Sequence, residues 1–391
     1  MMKLLFISPS FYPATFYGGP IFLNRTLCEA LSRRDGIEVQ VLTTDADGPH
    51  RRIDLKSVEG DPKQEFAVKY CRRHLQPDIS VTLLARLPGM IRRADVVHLN
   101  GAYCFTTLPA LLLCRVMKKP VVWSTLGALQ RWPGARRERA KQVFERICSA
   151  VCEPERVVMH VASGEEQDES RLRITKVQSV VIRYGTSVPV LNDERKTRGP
   201  ILRLLYLGRL HPIKAIENLL SAMIQTRANT SLDICGEGEP AYEALLRTRV
   251  AELGLGERVQ FHGAVKGAAK EIRFREADIC MVPSFKESFG AVVTESLARA
   301  VPVIASQGTP WQEMEQIGCG LWVSNEPASL ARAIDQGAIM PLGEMGMRGR
   351  EWMKREFSWD HTTAKFLDLY RSLLMEPQSD DCKVIADPKA A

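Results

Sequence analysis

The chain has 391 residues, of which 45% are hydrophobic, with a formal net charge of +7 and a pI of about 8.9. This length exceeds that of one average domain and suggests two or three, each with enough apolar residues for its own core. The mildly basic charge suits an anionic membrane surface, an anionic acceptor or nucleic acid, and does not choose among them.

The N-terminal half begins with a predicted strand, Leu4–Ile7, followed by a loop containing Gly18 and Gly19 and by a helix with apolar residues at helical spacing. This succession is typical of a Rossmann-like α/β unit. The two glycines lack GxGxxG spacing, so they indicate a dinucleotide site only weakly, and a flexible turn is the alternative. Ser8-Pro9 interrupt the apolar run, so we expect no signal peptide and a cytoplasmic location.

Two later strands end in loops at Asn100-Gly101 and Thr125-Leu126-Gly127. Both loops should open at the carboxyl edge of a parallel sheet, where open α/β sheets bind ligands. His98 lies on the first of these strands. A hydrogen-bonded core histidine and a catalytic histidine are both reasonable there.

Residues 131–146 form the most basic segment of the chain and include Trp132 and Phe144 among the cations. We predict an amphipathic basic helix, which is either a solvated helix face or, with its aromatic residues, a surface for peripheral contact with an anionic membrane. Nucleic acid is not expected as a partner, because no recognised binding module accompanies the charge.

Ten cysteines are scattered along the chain without a CxxC pair. Such a pattern is typical of reduced, mostly buried thiols and gives no metal site.

A polar, charged segment at 192–200 is predicted as a linker between an N-terminal domain, 1–191, and a second domain, 201–355. The second domain restarts with a strand, then Gly-Arg-Leu-His-Pro-Ile-Lys, then an amphipathic helix. Arg209 and Lys214 in this loop could neutralise a diphosphate, the first as a planar fork and the second as a point charge.

Residues 279–305 give a strand, a loop, a helix and a strand. The loop ends at Gly290, where unpaired N–H groups at the helix start suit a phosphate. Glu287 and Glu295 bracket this turn and are suited to accept hydrogen bonds from sugar hydroxyls. Together these features favour a sugar nucleotide, and an ordinary βαβ unit with solvated glutamates is the alternative.

The segment Glu-Ser-Phe-Gly at 287–290, with Glu295 eight residues after Glu287, resembles the E-x7-E element of retaining GT-B glycosyltransferases of family 4. The G-R-L-x-x-x-K pattern at 208–214 resembles the diphosphate-binding loop of the same family. The resemblance implies two Rossmann-like α/β domains facing across a cleft, with a C-terminal helix at 356–377 that crosses back onto the first domain. Beyond it we predict a disordered tail at 378–391.

The resemblance also implies the roles of individual residues. Glu287 would face the donor sugar, Glu295 would bind the ribose, and Arg209 and Lys214 would stabilise the diphosphate. The remaining predicted donor-binding positions are Ser288, Phe289, Gly290, Ala291, Gly208, Gly236, Val265, Gly18 and Gly19.

The implied reaction is retaining transfer of a hexose from a UDP-sugar or GDP-sugar to a hydroxyl of a saccharide or lipid-linked acceptor. Protein cations would supply the positive charge, so no metal or other cofactor is expected. The Gly-Thr-Pro-Trp-Gln-Glu segment at 308–313 resembles a subgroup that builds bacterial surface polysaccharides, including lipopolysaccharide. Trp311 in it is equally suited to a cleft wall and to a buried position.

Asn100 and Leu126 depart from the polar or histidine residues that many relatives carry in these loops. Two alternatives therefore stay open. A sugar-nucleotide epimerase of the same architecture would use Glu287 and His98 as acid and base, and a non-catalytic module would bind the sugar nucleotide without turnover.

Overall fold

The computed structural model describes residues 1–48, 50–55, 65–75, 79–132, 137–191 and 199–375. The predicted tail and all but the last two residues of the predicted linker lie outside these ranges.

The first domain is built on a parallel sheet in which the strands at 96–100 and 121–124 are wholly buried. Its strands are β1 (Met2–Ile7), β2 (Ile37–Thr44), β5 (Ala67–Cys71), β6 (Val96–Asn100), β7 (Val121–Ser124), β8 (Val157–Val161) and β9 (Gln178–Val181), and β3 (Ala46–Asp47) pairs with β4 (Arg51–Arg52) in a separate hairpin. The order in the sheet is β5-β2-β1-β6-β7-β8-β9, and each neighbouring pair is parallel. The loops that leave the strands therefore collect at one edge.

The helices described in this domain lie between the strands: α1 (Gly19–Ser32), α2 (Val81–Arg93), α3 (Thr107–Val116), α4 (Glu138–Val151) and α5 (Gly164–Arg173). Ser80 caps α2 and Ser163 caps α5, each accepting a backbone N–H from the first turn. The predicted helix over 131–146 is wrong at its start, because α4 begins at Glu138 and Arg131 precedes it. Arg136 lies outside the described residues.

The second domain contains another parallel sheet, in the order β12-β11-β10-β13-β14-β15. Its strands are β10 (Leu202–Leu207), β11 (Thr230–Cys235), β12 (Val259–Gly263), β13 (Ile279–Val282), β14 (Val303–Ser306) and β15 (Gly320–Val323). Its helices are α6 (Ile216–Met223), α7 (Pro240–Glu252), α8 (Gly267–Glu276), α9 (Ala291–Ala298), α10 (Glu313–Ile317), α11 (Pro327–Ile339) and α12 (Leu342–Glu356). The predicted pair of similar α/β domains is confirmed.

The last described helix, α13 (Trp359–Leu374), packs on the first domain, as predicted for a helix that crosses back. Phe366 and Tyr370 are fully buried there against Leu4 and Phe6 of β1. Burial of each large apolar side chain contributes about 1.5–3 kcal/mol, so this helix is an integral part of the first domain.

His98 is a core histidine. Its Nδ1 lies 2.6 Å from the Tyr370 hydroxyl and its Nε2 lies 2.6 Å from Ser124 Oγ, which in turn lies 2.6 Å from His160 Nδ1. His160 Nε2 donates to the carbonyl oxygen of Ile182 at 2.9 Å. Because a carbonyl only accepts, every proton in this chain of neutral groups points from Tyr370 towards Ile182.

Candidate functional site

The carboxyl edges of the two sheets face each other across a cavity of about 730 Å³, a volume typical of small-ligand sites. All thirteen residues predicted for the site line this cavity. They are Gly18, Gly19, Gly208, Arg209, Lys214, Gly236, Val265, Glu287, Ser288, Phe289, Gly290, Ala291 and Glu295. The structure therefore brings them together, and their individual roles stay predictions.

Glu287 is held in place by three contacts. Its Oε1 accepts hydrogen bonds from Lys214 Nζ at 2.5 Å and from Ser284 Oγ at 2.7 Å, and its backbone N–H donates to the carbonyl of Gly308 at 2.8 Å. The carboxylate is thus neutralised by a residue of the 208–214 loop, 73 positions earlier in the chain. The two sequence motifs meet directly at this ion pair.

The helix start beside Glu287 presents backbone donors to the cavity. Gly290 has φ 72° and immediately precedes α9, whose first N–H groups have no partner within the helix. The carbonyl of Phe289 accepts from the indole of Trp311, which is 1% exposed and so is a buried support of this turn. Such a terminus attracts an anion.

Glu295 lies further along α9 and pairs with Lys270 of α8 at 2.7 Å. Arg299 donates to the backbone carbonyl of Glu295 at 2.9 Å and also pairs with Glu271 at 2.5 Å. Lys270 and Arg299 line the cavity, and neither belongs to a motif from which it could have been selected.

Two cations of the second domain that line the cavity have no carboxylate partner among the described residues. The Arg209 guanidinium makes no hydrogen bond within the described ranges, and burial lowers its pKa. Lys266, which precedes α8, reaches across the cleft to Thr15, with its Nζ 3.2 Å from the hydroxyl. Unpaired cations next to a helix start create a positive site suited to a phosphate-bearing ligand.

The loops at 208 and 236 fit together without space for a side chain. A Cβ atom on Gly236 would lie 1.8 Å from the carbonyl oxygen of Gly208. Only glycine allows this approach, which places the backbone of both loops on the cavity wall.

The opposite wall is formed by loops of the first domain. Glu166 of α5 is buried and accepts hydrogen bonds from the Thr125 hydroxyl at 2.9 Å and from the N–H groups of Gly127 and Ala162 at 2.6 and 2.8 Å. Burial raises the pKa of this carboxyl, and the three donors oppose that shift. Glu166 therefore positions the 125–127 loop.

The two departures noted in the sequence occupy different environments. Leu126 lines the cavity with φ 54°, whereas Asn100 is 1% exposed, does not line the cavity and has no hydrogen-bond partner for its side-chain amide among the described residues. His98 also lies away from the cavity wall, so the structure does not place it opposite Glu287 as an acid/base partner.

Further cavity residues were not selected from the sequence as site residues: Gln130, Trp132, His160, Glu166, Tyr184 and His211. His211 occupies a variable position within the G-R-L-x-x-x-K segment, and the other five come from separate loops, strands and α5, so their residue types are not marked by a motif. Within the described ranges, no three His, Cys, Asp or Glu side chains lie close enough together to hold a metal ion. The same ranges contain no helix of the length and apolarity needed to cross a bilayer.

Sequence models of two families match the two halves of the chain. The model of the Glycosyltransferase Family 4 matches residues 17–188, and that of the Glycosyl transferases group 1 matches residues 194–340. An uncharacterised glycosyltransferase of Methanocaldococcus jannaschii is 28% identical over 242 residues, which are 59% of this chain and 58% of the relative. D-inositol 3-phosphate glycosyltransferase of Salinispora tropica is 30% identical over 188 residues, 44% of this chain and 38% of the relative.

The chain thus spans about half the length of the Methanocaldococcus relative and a smaller share of the Salinispora relative. A solved structure of Anabaena HepE in complex with UDP-glucose is similar over 95% of this chain and 100% of the other, with a TM-score of 0.70 and 19% identity. At that identity the likeness concerns the fold alone. The chain belongs to the glycosyltransferases of family 4, with the GT-B architecture of two facing α/β domains.

Proposed function

We propose that this protein transfers a hexose from a nucleoside diphosphate sugar to a hydroxyl of a saccharide or lipid-linked acceptor, with retention at the anomeric carbon. The observation that carries the proposal is the ion pair between Lys214 and Glu287 beside the unpaired Arg209. This arrangement offers carboxylate acceptors for sugar hydroxyls and a surplus cation for a diphosphate in one cavity. Anabaena HepE, a structural relative, holds UDP-glucose, which favours a UDP-sugar over a GDP-sugar donor.

The cavity wall formed by the second domain, which we call the donor half, is suited to bind the leaving diphosphate. Arg209, Lys266 and the amides at the start of α9 stabilise the negative charge that grows on the diphosphate as its bond to the sugar breaks. Lys214 moves part of its interaction from Glu287 to the phosphate. These protein groups supply the positive charge, so we propose a reaction without a metal.

The proposed chemistry balances without a separate protein base. The bond between the anomeric carbon and the diphosphate oxygen breaks, the acceptor oxygen bonds to the same face of that carbon, and the acceptor proton passes to the leaving diphosphate. Glu287, already neutralised by Lys214, binds donor hydroxyls, and Glu295 binds the ribose. Nucleophilic catalysis by Glu287 is not required.

A thermal-shift titration tests the donor site. The melting temperature of each protein is measured with UDP, GDP, ADP and their glucose conjugates. The proteins are the wild type, Arg209→Ala, Glu295→Ala and, as an exposed control, Arg332→Ala of α11. Loss of one charge-assisted contact costs about 1.5–3 kcal/mol, so the two site variants should bind the preferred nucleotide about 10- to 100-fold more weakly. Nucleotide shifts that are equal in the site variants and in the control would refute the site.

Product analysis separates transfer from epimerisation. With a radiolabelled donor, a transferase moves the label to an acceptor, whereas an epimerase yields a changed nucleotide sugar in the absence of an acceptor. Nucleotide binding without either product would identify a non-catalytic module and refute the proposed transfer.

We also propose that the acceptor belongs to cell-surface polysaccharide synthesis and is met at the inner, anionic face of the cytoplasmic membrane. On α4, the cations Arg139 and Arg146 and the apolar side chains of Val143 and Ile147 are exposed. Exposed apolar side chains flanked by cations suit the interface of an anionic bilayer.

Sedimentation with vesicles tests this surface. The wild type should sediment with vesicles of phosphatidylcholine and phosphatidylglycerol, whereas the double variant Arg139→Glu/Arg146→Glu should not. The matched control is Arg332→Glu on α11. Binding that persists in the α4 double variant would refute the membrane surface and leave the donor site untouched.

A further inference from the structure

The acceptor half of the cavity differs from the donor half in its chemistry. Its wall consists of loops of the first domain together with the side chains that flank the Lys214–Glu287 ion pair. Aromatic rings and neutral hydrogen-bond donors line this region, and its cations are neutralised.

Trp132 supplies an aromatic surface at the junction of the two domains. Its ring stacks against Phe285 with centroids 6.4 Å apart and meets His211 edge-on at 6.0 Å. The indole lines the cavity beside these contacts and is only half-buried. An indole face covers the apolar C–H face of a pyranose ring at small entropic cost, because it has only two side-chain torsions.

Two neutral donors accompany this surface. Gln130 is 7% exposed, lines the cavity, and its amide Nε2 has no hydrogen-bond partner among the described residues. His211 accepts from the N–H of Ile213 at Nδ1, 3.2 Å away, so its ring proton is on Nε2. Burial and the nearby cations lower the pKa of His211 to about 4, which keeps the ring uncharged at neutral pH.

Lys286, at the floor of this region, is bound to two carboxylates. It pairs with Glu169 at 2.9 Å and with Glu165 at 3.3 Å, both on α5. These two carboxylates exceed the single charge of Lys286, which disfavours a second anion.

The charges of the neighbouring wall balance in number. Arg131 pairs with Glu138 at 2.9 Å and also contacts Glu145. Lys141 makes no ion pair within the described ranges, but its charge acts on Glu138, and its Nζ lies 5.4 Å from the centre of the Tyr103 ring. The surplus of positive charge seen around Arg209 has no counterpart here.

We infer that the acceptor is an uncharged pyranose unit that stacks on Trp132 and accepts hydrogen bonds from Gln130 and His211, and that phosphorylated sugars are disfavoured there. The inference rests on the proposed glycosyl transfer and specifies its acceptor. It also separates this chain from its Salinispora relative, whose name specifies an inositol phosphate.

Saturation-transfer difference NMR on the UDP-saturated protein tests this inference. The probes are the methyl glycosides of glucose, galactose and mannose, and the 6-phosphates of the same three sugars. At least one neutral glycoside should give a signal strongest on its ring C–H protons and bind at least threefold more tightly than its 6-phosphate. Trp132→Ala should abolish this signal, Trp132→Phe should retain it, and Gln130→Leu should weaken binding about threefold to tenfold.

The same experiment separates failure of this inference from failure of the donor site. Stabilisation by UDP should be unchanged in the Trp132 and Gln130 variants, and its absence in the wild type would refute the donor site itself. With UDP binding intact, tighter binding of the sugar phosphates would overturn the neutral acceptor site. A missing signal from all three neutral glycosides, or undiminished binding by Trp132→Ala, would also overturn it.

Discussion

Acidification should destabilise this protein through its buried histidines, and His160→Gln should remove a measurable part of that effect. His160 is 2% exposed, and burial lowers its pKa from 6.5 to about 4. The unfolded chain therefore binds more protons than the folded one between pH 6.5 and 4. The free energy of unfolding falls as the pH decreases through this range. Burial also lowers the pKa of His98, so it acts in the same direction.

The size of the effect follows from the pKa shift of His160. A shift from 6.5 to about 4 corresponds to about 3 kcal/mol in full, and about 2 kcal/mol of it is lost between pH 7.5 and pH 5. In His160→Gln the amide can still accept from Ser124 and donate to the carbonyl of Ile182, but it does not titrate. The variant should therefore lose about 2 kcal/mol less than the wild type.

Urea unfolding followed by circular dichroism at pH 7.5 and pH 5 measures this difference. His361→Gln changes an exposed histidine of α13 and serves as the matched control. Its free energy of unfolding should change with pH as that of the wild type does. If His160→Gln and the wild type lost equal free energy on acidification, the assignment of this acid destabilisation to His160 would be refuted.

Three further substitutions test the cavity walls. Gly236→Ala should prevent correct packing of the donor loops, because its Cβ would lie 1.8 Å from the oxygen of Gly208, whereas Gly256→Ala, with open space around it, should leave the melting temperature nearly unchanged; thermal melts compare the two. Glu166→Gln places an NH2 group against backbone donors, so urea unfolding should show a loss of about 1–3 kcal/mol and kinetics should show a raised KM for the acceptor but not for the donor. Lys286→Ala removes a partly exposed ion pair between the domains and should lower the free energy of unfolding by at most about 1 kcal/mol in urea, and a larger loss would contradict the reasoning.

The fold could be predicted because its signals are local. A strand, a loop and an amphipathic helix recur at the start of each half, and parallel strands joined in this way place their loops on one edge. The donor side followed from two short motifs, and the structure adds the ion pair between Lys214 and Glu287 that joins them.

Other features depend on contacts between distant parts of the chain. His98 and Tyr370 are 272 positions apart, so nothing around His98 in the sequence identified its partner. The predicted start of the basic helix is wrong, because Arg131 precedes α4. The Arg131 charge is neutralised by ion pairs with Glu138 and Glu145. Charge counted along a sequence does not distinguish a paired cation from a free one.

The difference between paired and free cations also supports the proposal that the two halves of the cavity bind different ligands, the donor in one and the acceptor in the other. In the proposed transfer a nucleoside diphosphate gains negative charge as it leaves, so the wall around the unpaired Arg209 and Lys266 would stabilise the transition state more than the ground state. An equally positive acceptor wall would bind a second nucleotide and block the acceptor. In the proposed acceptor site, the pairing of Lys286 with Glu165 and Glu169 would prevent this competition. The acceptor can then be selected by stacking and by neutral hydrogen bonds, where loss of one donor to a hydroxyl costs about 1 kcal/mol or more.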